Sequence, residues 1–142
     1  MRGRPQGSGT STKALLAARV LAGLMGVVQL AGASFFLFVA PEEAVWLGPS
    51  VDVPVVGIML IGFALKLVFA LWPGLPVSRR TMVGLAAVTI GMVVTLLKIP
   101  LYDEPEGVVF LAVDALLLAL LLLARRGAAR PTLDRGHTKV PA

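Results

Sequence analysis

Four long apolar runs limit what this chain can fold into more than any other feature. The last run, residues 107–124, contains 18 residues and a single charged side chain, Asp114. A helix of about 18 or more apolar residues is long enough to cross ~30 Å of hydrocarbon. Similar runs precede it at residues 14–39, 54–72 and 81–101. The sequence therefore predicts an all-α, integral membrane four-helix bundle.

Composition agrees with a chain whose mass lies mostly in lipid. Of 142 residues, 57% are hydrophobic and the mean hydropathy is +0.88, which leaves little chain for an extramembrane domain. We expect one transmembrane domain, residues 14–124, between disordered basic tails at 1–13 and 125–142. The first run also resembles a signal peptide. It is longer than the usual signal core of 7–15 residues, and Pro41 would follow the cleavage site, so a membrane span is favoured.

The basic residues predict how the chain is threaded. Apart from Lys66 and Lys98, every Lys and Arg lies before residue 20, in the turn at 76–80, or after residue 124. The loops at 40–53 and 102–106 contain no basic residue and most of the acids. The positive-inside rule then places both termini in the cytoplasm. We expect the membrane to be a plasma membrane, of the bacterial inner-membrane type. Contact with anionic lipid headgroups accounts for the net charge of +5 without nucleic acid.

Small residues at helical spacing indicate the faces on which these spans pack. Membrane helices associate through close packing and interhelical hydrogen bonds, so such stripes mark their contacts. The polar groups within the spans lie on or beside the stripes, which predicts that they face the inside of the bundle. The candidate packing residues are Ala18, Ala22, Gly26, Gly84, Ala87 and Gly91, and the candidate polar site comprises Gln29, Lys66, Lys98 and Asp114.

The three intramembrane charges admit two interpretations. Depth and hairpin connectivity favour an ion pair between Lys98 and Asp114, whereas Lys66 lies about five residues, or ~7.5 Å, from the level of Asp114 and leans toward it. A functional interpretation makes this group a proton- or ion-responsive site. In the purely structural alternative, Lys98 extends outward, Lys66 reaches toward Arg79, and Asp114 is protonated. The sequence leaves both open.

No catalytic, cofactor or metal site is predicted. The chain has no cysteine, and its single histidine, His137, lies in the C-terminal tail. These facts remove thiolate chemistry and any histidine pair for zinc or haem. No HExxH or GxSxG motif and no glycine-rich phosphate loop occurs. The acidic loops lack the ligand spacing of a calcium loop.

The chain resembles the small four-helix bacterial membrane proteins grouped as DoxX-like. The resemblance covers residues 14–126 and includes a first span that ends near Pro41, a loop with Leu47-Gly48-Pro49, a basic turn at Arg79-Arg80, and a last span with one carboxylate before Arg125-Arg126. It implies a four-helix fold. Some DoxX-like members are linked to respiratory or redox membrane assemblies, but no cofactor-binding residue is carried over.

The sequence leads us to expect one of two functions, and it lacks the residues that a third function would need. The first is an accessory or structural component that associates with a second copy or a larger membrane complex through its small-residue faces. The alternative is a small proton-coupled carrier that uses Asp114 with Lys98 or Lys66. In size it is similar to the small multidrug exporters, which carry a glutamate in the first span where this chain has Gln29. A membrane enzyme would need histidine, cysteine or paired acids.

Overall fold

A computed structural model describes residues 7–128, and it confirms the predicted all-α four-helix bundle. Each of the four helices is long and apolar enough to span a membrane, which makes the chain a multi-pass membrane protein. The helices are α1 (Gly7–Ser34), α2 (Pro49–Leu71), α3 (Val77–Tyr102) and α4 (Gly107–Ala128). A π-helical turn (Phe35–Val39) extends α1, and a 3₁₀ turn (Pro41–Glu43) follows it.

Two helices extend into the segments predicted as disordered tails. Helix α1 begins at Gly7, and its first turns are held against α4 because the Ser11 hydroxyl donates a hydrogen bond to the carbonyl of Ala124 (3.0 Å). Such a tertiary contact stabilises a helix whose Gly, Ser and Thr residues are weak helix formers. Helix α4 continues through its basic residues to Ala128. The remaining tail predictions, for 1–6 and 129–142, lie outside the described residues.

Helix α2 also begins earlier than predicted, at Pro49 rather than residue 54. Proline suits the first helical turn because it has no N–H group, and an N–H group at this position would have no intrahelical acceptor. The carboxylate of Asp52 accepts hydrogen bonds from the N–H groups of Leu47 (3.1 Å) and Gly48 (2.7 Å). These bonds fix the entry of the chain into the helix, with Gly48 at a φ of 118° that suits glycine. Part of the predicted loop is therefore helical.

The four helices form a ring in chain order. Each helix packs against its two neighbours, with α1 also against α4, and in the described bundle neither diagonal pair, α1–α3 or α2–α4, approaches closely. The Ser11–Ala124 contact shows that the first and last described turns share one end of the bundle. We call this the basic end, because it carries Lys13, Arg19, Arg79, Arg80, Arg125 and Arg126. The opposite, acidic end carries Glu42, Glu43, Asp103, Glu104 and Glu106.

The half of the bundle nearer the basic end is filled by side chains. Residues from all four helices form one buried cluster, which we call the apolar plug: Ala18, Ala22, Phe69, Val88, Leu117 and Leu121. The alanines let α1 approach closely, and Phe69 occupies the space between helices. Helix–helix association in lipid depends on this kind of close packing. The plug closes the interior of the bundle toward the basic end.

Two arginines satisfy carbonyl groups at the end of α2. Arg19 donates from Nε (3.0 Å) and Nη2 (2.7 Å) to the carbonyl of Ala70. Arg80 donates from Nη2 to the carbonyls of Trp72 (3.1 Å) and Pro73 (2.7 Å). The last carbonyls of a helix have no intrahelical donor, and a cation there also interacts favourably with the helix dipole. These contacts tie α1 and α3 to the end of α2.

The residues expected to mark packing faces lie inside the bundle. Ala18, Ala22 and Ala87 are at most 1% exposed, and Gly26, Gly84 and Gly91 are buried. At Gly26, an added Cβ atom would lie 2.9 Å from Leu67 Cδ2, so glycine allows α1 and α2 to approach. The outer surface instead consists of leucine, valine and other apolar side chains. The small-residue faces are thus occupied by contacts within the chain.

Candidate functional site

A buried ion pair lies where the plug ends. Lys66 Nζ on α2 lies 2.7 Å from Asp114 Oδ1 on α4, and both side chains are 0% exposed. Because α2 and α4 are diagonal in the ring, the contact between the long Lys66 side chain and the short Asp114 side chain lies at the centre of the bundle. Isolated charges at this depth are expensive, so each neutralises the other. The pair is a polar link between two helices whose backbones do not adjoin.

The other two helices complete the site. Lys66 Nζ donates a hydrogen bond to Gln29 Oε1 on α1 (2.9 Å). On α3, Gly91 faces the pair, and a Cβ atom at this position would lie 2.7 Å from Asp114 Oδ2 and 3.0 Å from Lys66 Nζ. A side chain there would collide with the charged atoms, so glycine provides the room for them. Each helix therefore contributes one residue to a single point on the bundle axis.

The carboxylate of Asp114 is not fully satisfied. Among residues 7–128, no donor makes a hydrogen bond to its Oδ2 atom. A buried polar atom without a partner is uncommon in proteins, and it often marks a functional role or the place of a bound group. Oδ2 faces Gly91, where an added Cβ atom would lie only 2.7 Å from it. The space on the α3 side of the carboxylate is therefore already occupied by the charged atoms.

Lys98 does not reach Asp114, which corrects the pairing favoured by depth and connectivity. Its Nζ lies 2.8 Å from Glu104 Oε2, with the side chains 25% and 36% exposed, and 5.9 Å from the centre of the Tyr102 ring. On α3, Gly91 is level with Asp114, and Lys98 lies seven residues further along, about 10 Å toward the acidic end. Lys66 pairs with Asp114 instead of extending toward Arg79.

An open cavity lies between the buried ion pair and the acidic end. This vestibule has a volume of about 510 Å³ and is lined by residues from all four helices and both loops at that end. Its inner end is formed by Gln29, Gly62 and Gly91, next to the ion pair, and its walls are mostly apolar. Cavities of this size and character are typical of small-molecule sites. A molecule that entered here would pass apolar walls and reach the amide of Gln29, which is hydrogen-bonded to the buried Lys66.

Hydrogen bonds that the sequence did not predict hold the mouth of the vestibule. The Tyr102 hydroxyl donates to Asp52 Oδ1 (2.7 Å), which links the end of α3 to the start of α2. Trp46 Nε1 donates to the carbonyl of Pro41 (2.7 Å), and the ring of Trp46 lines the cavity. Asp52 was expected in an exposed loop but is 6% exposed. An acid three residues after Pro49 was the available signal, because it falls in a first helical turn.

The described part of the chain has no cluster of three His, Cys, Asp or Glu side chains that could hold a metal ion. The polar side chains at and beside the inner end of the vestibule are the Gln29 amide, the Lys66 amine and the Asp114 carboxylate. The arrangement is therefore a buried ion pair, hydrogen-bonded to an amide, in the interior of a four-helix bundle.

No protein-family model, curated protein or solved structure matches this chain. The resemblance to DoxX-like proteins stays a prediction, and the functional argument rests on the chain's own residues.

Proposed function

We propose that this protein is a small proton-coupled carrier that receives a solute from the acidic end and uses Lys66 and Asp114 as its coupling group. The observation that carries the proposal is the vestibule, whose inner end at Gln29, Gly62 and Gly91 lies beside a fully buried ion pair. Beyond the pair, the apolar plug closes the other half of the bundle. A polar site near the middle of the bundle, with a cavity on one side and packed side chains on the other, is the arrangement from which alternating access can start.

The position of the ion pair supports a coupling role. It joins α2 to α4 across the bundle, so separation of these helices must break it. Once the pair is broken, each group would be an unpaired charge in a dry interior, unless a proton or a solute compensated it. Whether α2 and α4 are together or apart is thereby linked to whether a proton or a solute occupies the site. This link is the physical basis of coupling between a proton and a solute.

The accessory interpretation lacks a comparable observation. It relied on small-residue faces for contacts with a second copy or a larger complex. Those faces are buried against neighbouring helices of the same chain, as Ala22 and Ala87 illustrate. A partner would have to bind the outer leucine and valine surface, which is also the surface that lipid requires. An accessory role stays a prediction without a specific contact surface.

Cysteine accessibility tests the carrier directly, since the chain has no native cysteine. In the vestibule, Thr95→Cys should react with a membrane-impermeant maleimide from the acidic side. Val88→Cys, in the plug, should react from the basic side when the bundle opens inward. Val93→Cys on the lipid-facing surface is the matched control and should stay unlabelled. Labelling of position 95 together with complete protection of position 88 from both sides would contradict alternating access.

We also propose that the basic end faces the cytoplasm and that the bilayer is the plasma membrane. The separation of basic and acidic side chains between the two ends supports this orientation. Anionic headgroups of the cytoplasmic leaflet are the expected partners of Arg79 and Arg125, each worth about 1 kcal/mol near the surface. In intact cells, an impermeant maleimide should label Ser50→Cys but not Ser78→Cys. The reverse pattern would invert the topology.

A further inference from the structure

We propose that the vestibule binds an uncharged, largely apolar molecule whose hydrogen-bond acceptor, such as a carbonyl oxygen, accepts from the amide of Gln29. This inference rests on the proposed carrier function and names the substrate class of the same cavity. Three observations support it: the unused donors of one amide, the apolar walls around that amide, and the pairing of the charges closest to it. Together they describe a ligand with one polar point on an apolar body.

The amide of Gln29 offers its N–H groups, and not its oxygen, to a ligand. Lys66 Nζ donates to Gln29 Oε1 (2.9 Å), and an ammonium group can only donate, which fixes the orientation of the amide. Within residues 7–128, the Nε2 atom makes no hydrogen bond, and it is not fully buried. The side chain is half-buried and lines the inner end of the vestibule. Its N–H groups are therefore available to a ligand in the cavity.

The walls around this amide favour an apolar body. Between the mouth and Gln29, the lining side chains are predominantly apolar and include Phe63, Val94 and Phe110. A ligand that buries apolar surface here gains about 25 cal/mol for each Å² removed from water. The two phenylalanine rings can also pack edge-to-face against an aromatic ligand. An apolar molecule thus gains along the whole length of the cavity.

The charges closest to the amide are already paired, which favours an uncharged ligand. Lys66 and Asp114 neutralise each other behind the cavity wall, with both side chains 0% exposed. Lys98 lies 2.8 Å from Glu104. In the described bundle, an ion beside Gln29 would lose its hydration and gain no free counter-charge, which is costly. An uncharged acceptor avoids that cost and forms a hydrogen bond with the amide.

Gln29 also connects such a ligand to the proposed coupling group. Its oxygen accepts from Lys66 while its N–H groups donate to the ligand, so the ligand is one hydrogen-bonded group away from the ion pair. Hydrogen bonds in a chain polarise one another, and an amide that donates becomes a stronger acceptor. Occupancy of the vestibule therefore strengthens the bond to Lys66. The ligand influences the ion pair without entering its buried space.

Photolabelling of the full chain in lipid nanodiscs locates the ligand. Benzophenone is the probe, because it is uncharged, its carbonyl oxygen accepts a hydrogen bond, and light makes it react with nearby C–H bonds, with a preference for methionine. Met59 lines the vestibule, and Met82, which is 64% exposed on the outer surface, is the matched control. Labelling of Met59 should saturate with probe concentration, whereas labelling of Met82 should rise in proportion to it. Proportional labelling of both would overturn the proposal.

Competition tests the hydrogen bond. Acetophenone and α-methylstyrene have nearly the same shape, but only acetophenone has a carbonyl oxygen. After correction for partitioning into lipid, acetophenone should protect Met59 at about 5-fold lower concentration, the effect of one neutral hydrogen bond. Benzyltrimethylammonium and benzenesulfonate should give no protection, because each carries a permanent charge. Equal protection by acetophenone and α-methylstyrene, or stronger protection by either ion, would contradict the proposal.

Two substitutions assign the donor. Gln29→Leu removes the amide, so acetophenone and α-methylstyrene should then protect Met59 equally. Thr95→Val removes a second uncharged polar group of the wall, one turn nearer the acidic end than Gly91, and acetophenone should keep its advantage of about 5-fold. Thermal unfolding verifies that each variant is folded, and the wild-type comparison of the two competitors needs no variant. An advantage that survives in folded Gln29→Leu and is lost in Thr95→Val would refute the assignment to Gln29.

The outcomes also separate this inference from the carrier proposal. If position 88 becomes labelled from the basic side but acetophenone does not protect Met59, the carrier stands and the substrate class is wrong. If acetophenone protects Met59 while position 88 is always protected from maleimide, the binding site stands and transport is wrong.

Discussion

A double-mutant cycle on the buried ion pair gives the sharpest energetic prediction. Because Lys66 and Asp114 are both 0% exposed and 2.7 Å apart, removal of either partner leaves an unpaired charge in the bundle. Lys66→Met or Asp114→Asn should each lower the free energy of unfolding by about 3 kcal/mol. The double variant leaves no unpaired charge. It should therefore be destabilised by less than either single variant, which gives a coupling energy of at least about 3 kcal/mol.

The assay is SDS-induced unfolding in mixed micelles, followed by far-ultraviolet circular dichroism. A matched control cycle uses Lys98→Met and Glu104→Gln, because this second ion pair is 25% and 36% exposed. Its coupling energy should be at most about 1 kcal/mol, since solvent screens exposed pairs. If the two single losses at Lys66 and Asp114 add in the double variant, the pair does not act as a unit and the reasoning is refuted.

Two further predictions concern the room at the site and the mouth of the vestibule. Gly91→Ala should destabilise the bundle by about 1–3 kcal/mol through overpacking, because its Cβ would lie 2.7 Å from the carboxylate of Asp114. The control, Gly57→Ala, meets no atom within 4 Å and should stabilise α2 by about 0.5–1 kcal/mol. Equal melting temperatures for the two variants would contradict the close fit at Gly91. Tyr102→Phe removes the hydrogen bond to Asp52, and amide hydrogen exchange across residues 44–48 should become faster. Unchanged exchange would show that this bond does not hold the loop.

The spans were predictable because apolar length is a local property of the chain. Their ends were less so: α2 starts at Pro49 because Asp52 holds two backbone N–H groups, and the pattern of apolar residues carries no information on that contact. The start of α1 at Gly7 likewise depends on Ser11, which bonds to a residue 113 positions away. Boundaries that depend on tertiary hydrogen bonds cannot be obtained from hydropathy.

The candidate polar residues were identifiable from their position within apolar runs, but their pairing was not. Depth along each span favoured Lys98 for Asp114, yet depth ignores how helices rotate and tilt against one another. In the structure Gly91, rather than Lys98, is the α3 residue that faces Asp114. Lys98 finds Glu104 because Asp103 adopts a left-handed conformation (φ 51°) at the end of α3, which turns the chain back. Neither rotation nor turn conformation is encoded in residue spacing alone.

The diagonal ion pair also bears on how this chain assembles. The first two helices form a hairpin that enters the bilayer with a positive charge at Lys66, relieved only by the amide of Gln29. The second hairpin contains the compensating carboxylate, and its own lysine is balanced locally by Glu104. Each hairpin therefore has one unpaired buried charge until the two hairpins pack together. Docking of the two hairpins is thus the step in which both buried charges become paired. This pairing favours association of the hairpins in lipid over their separation.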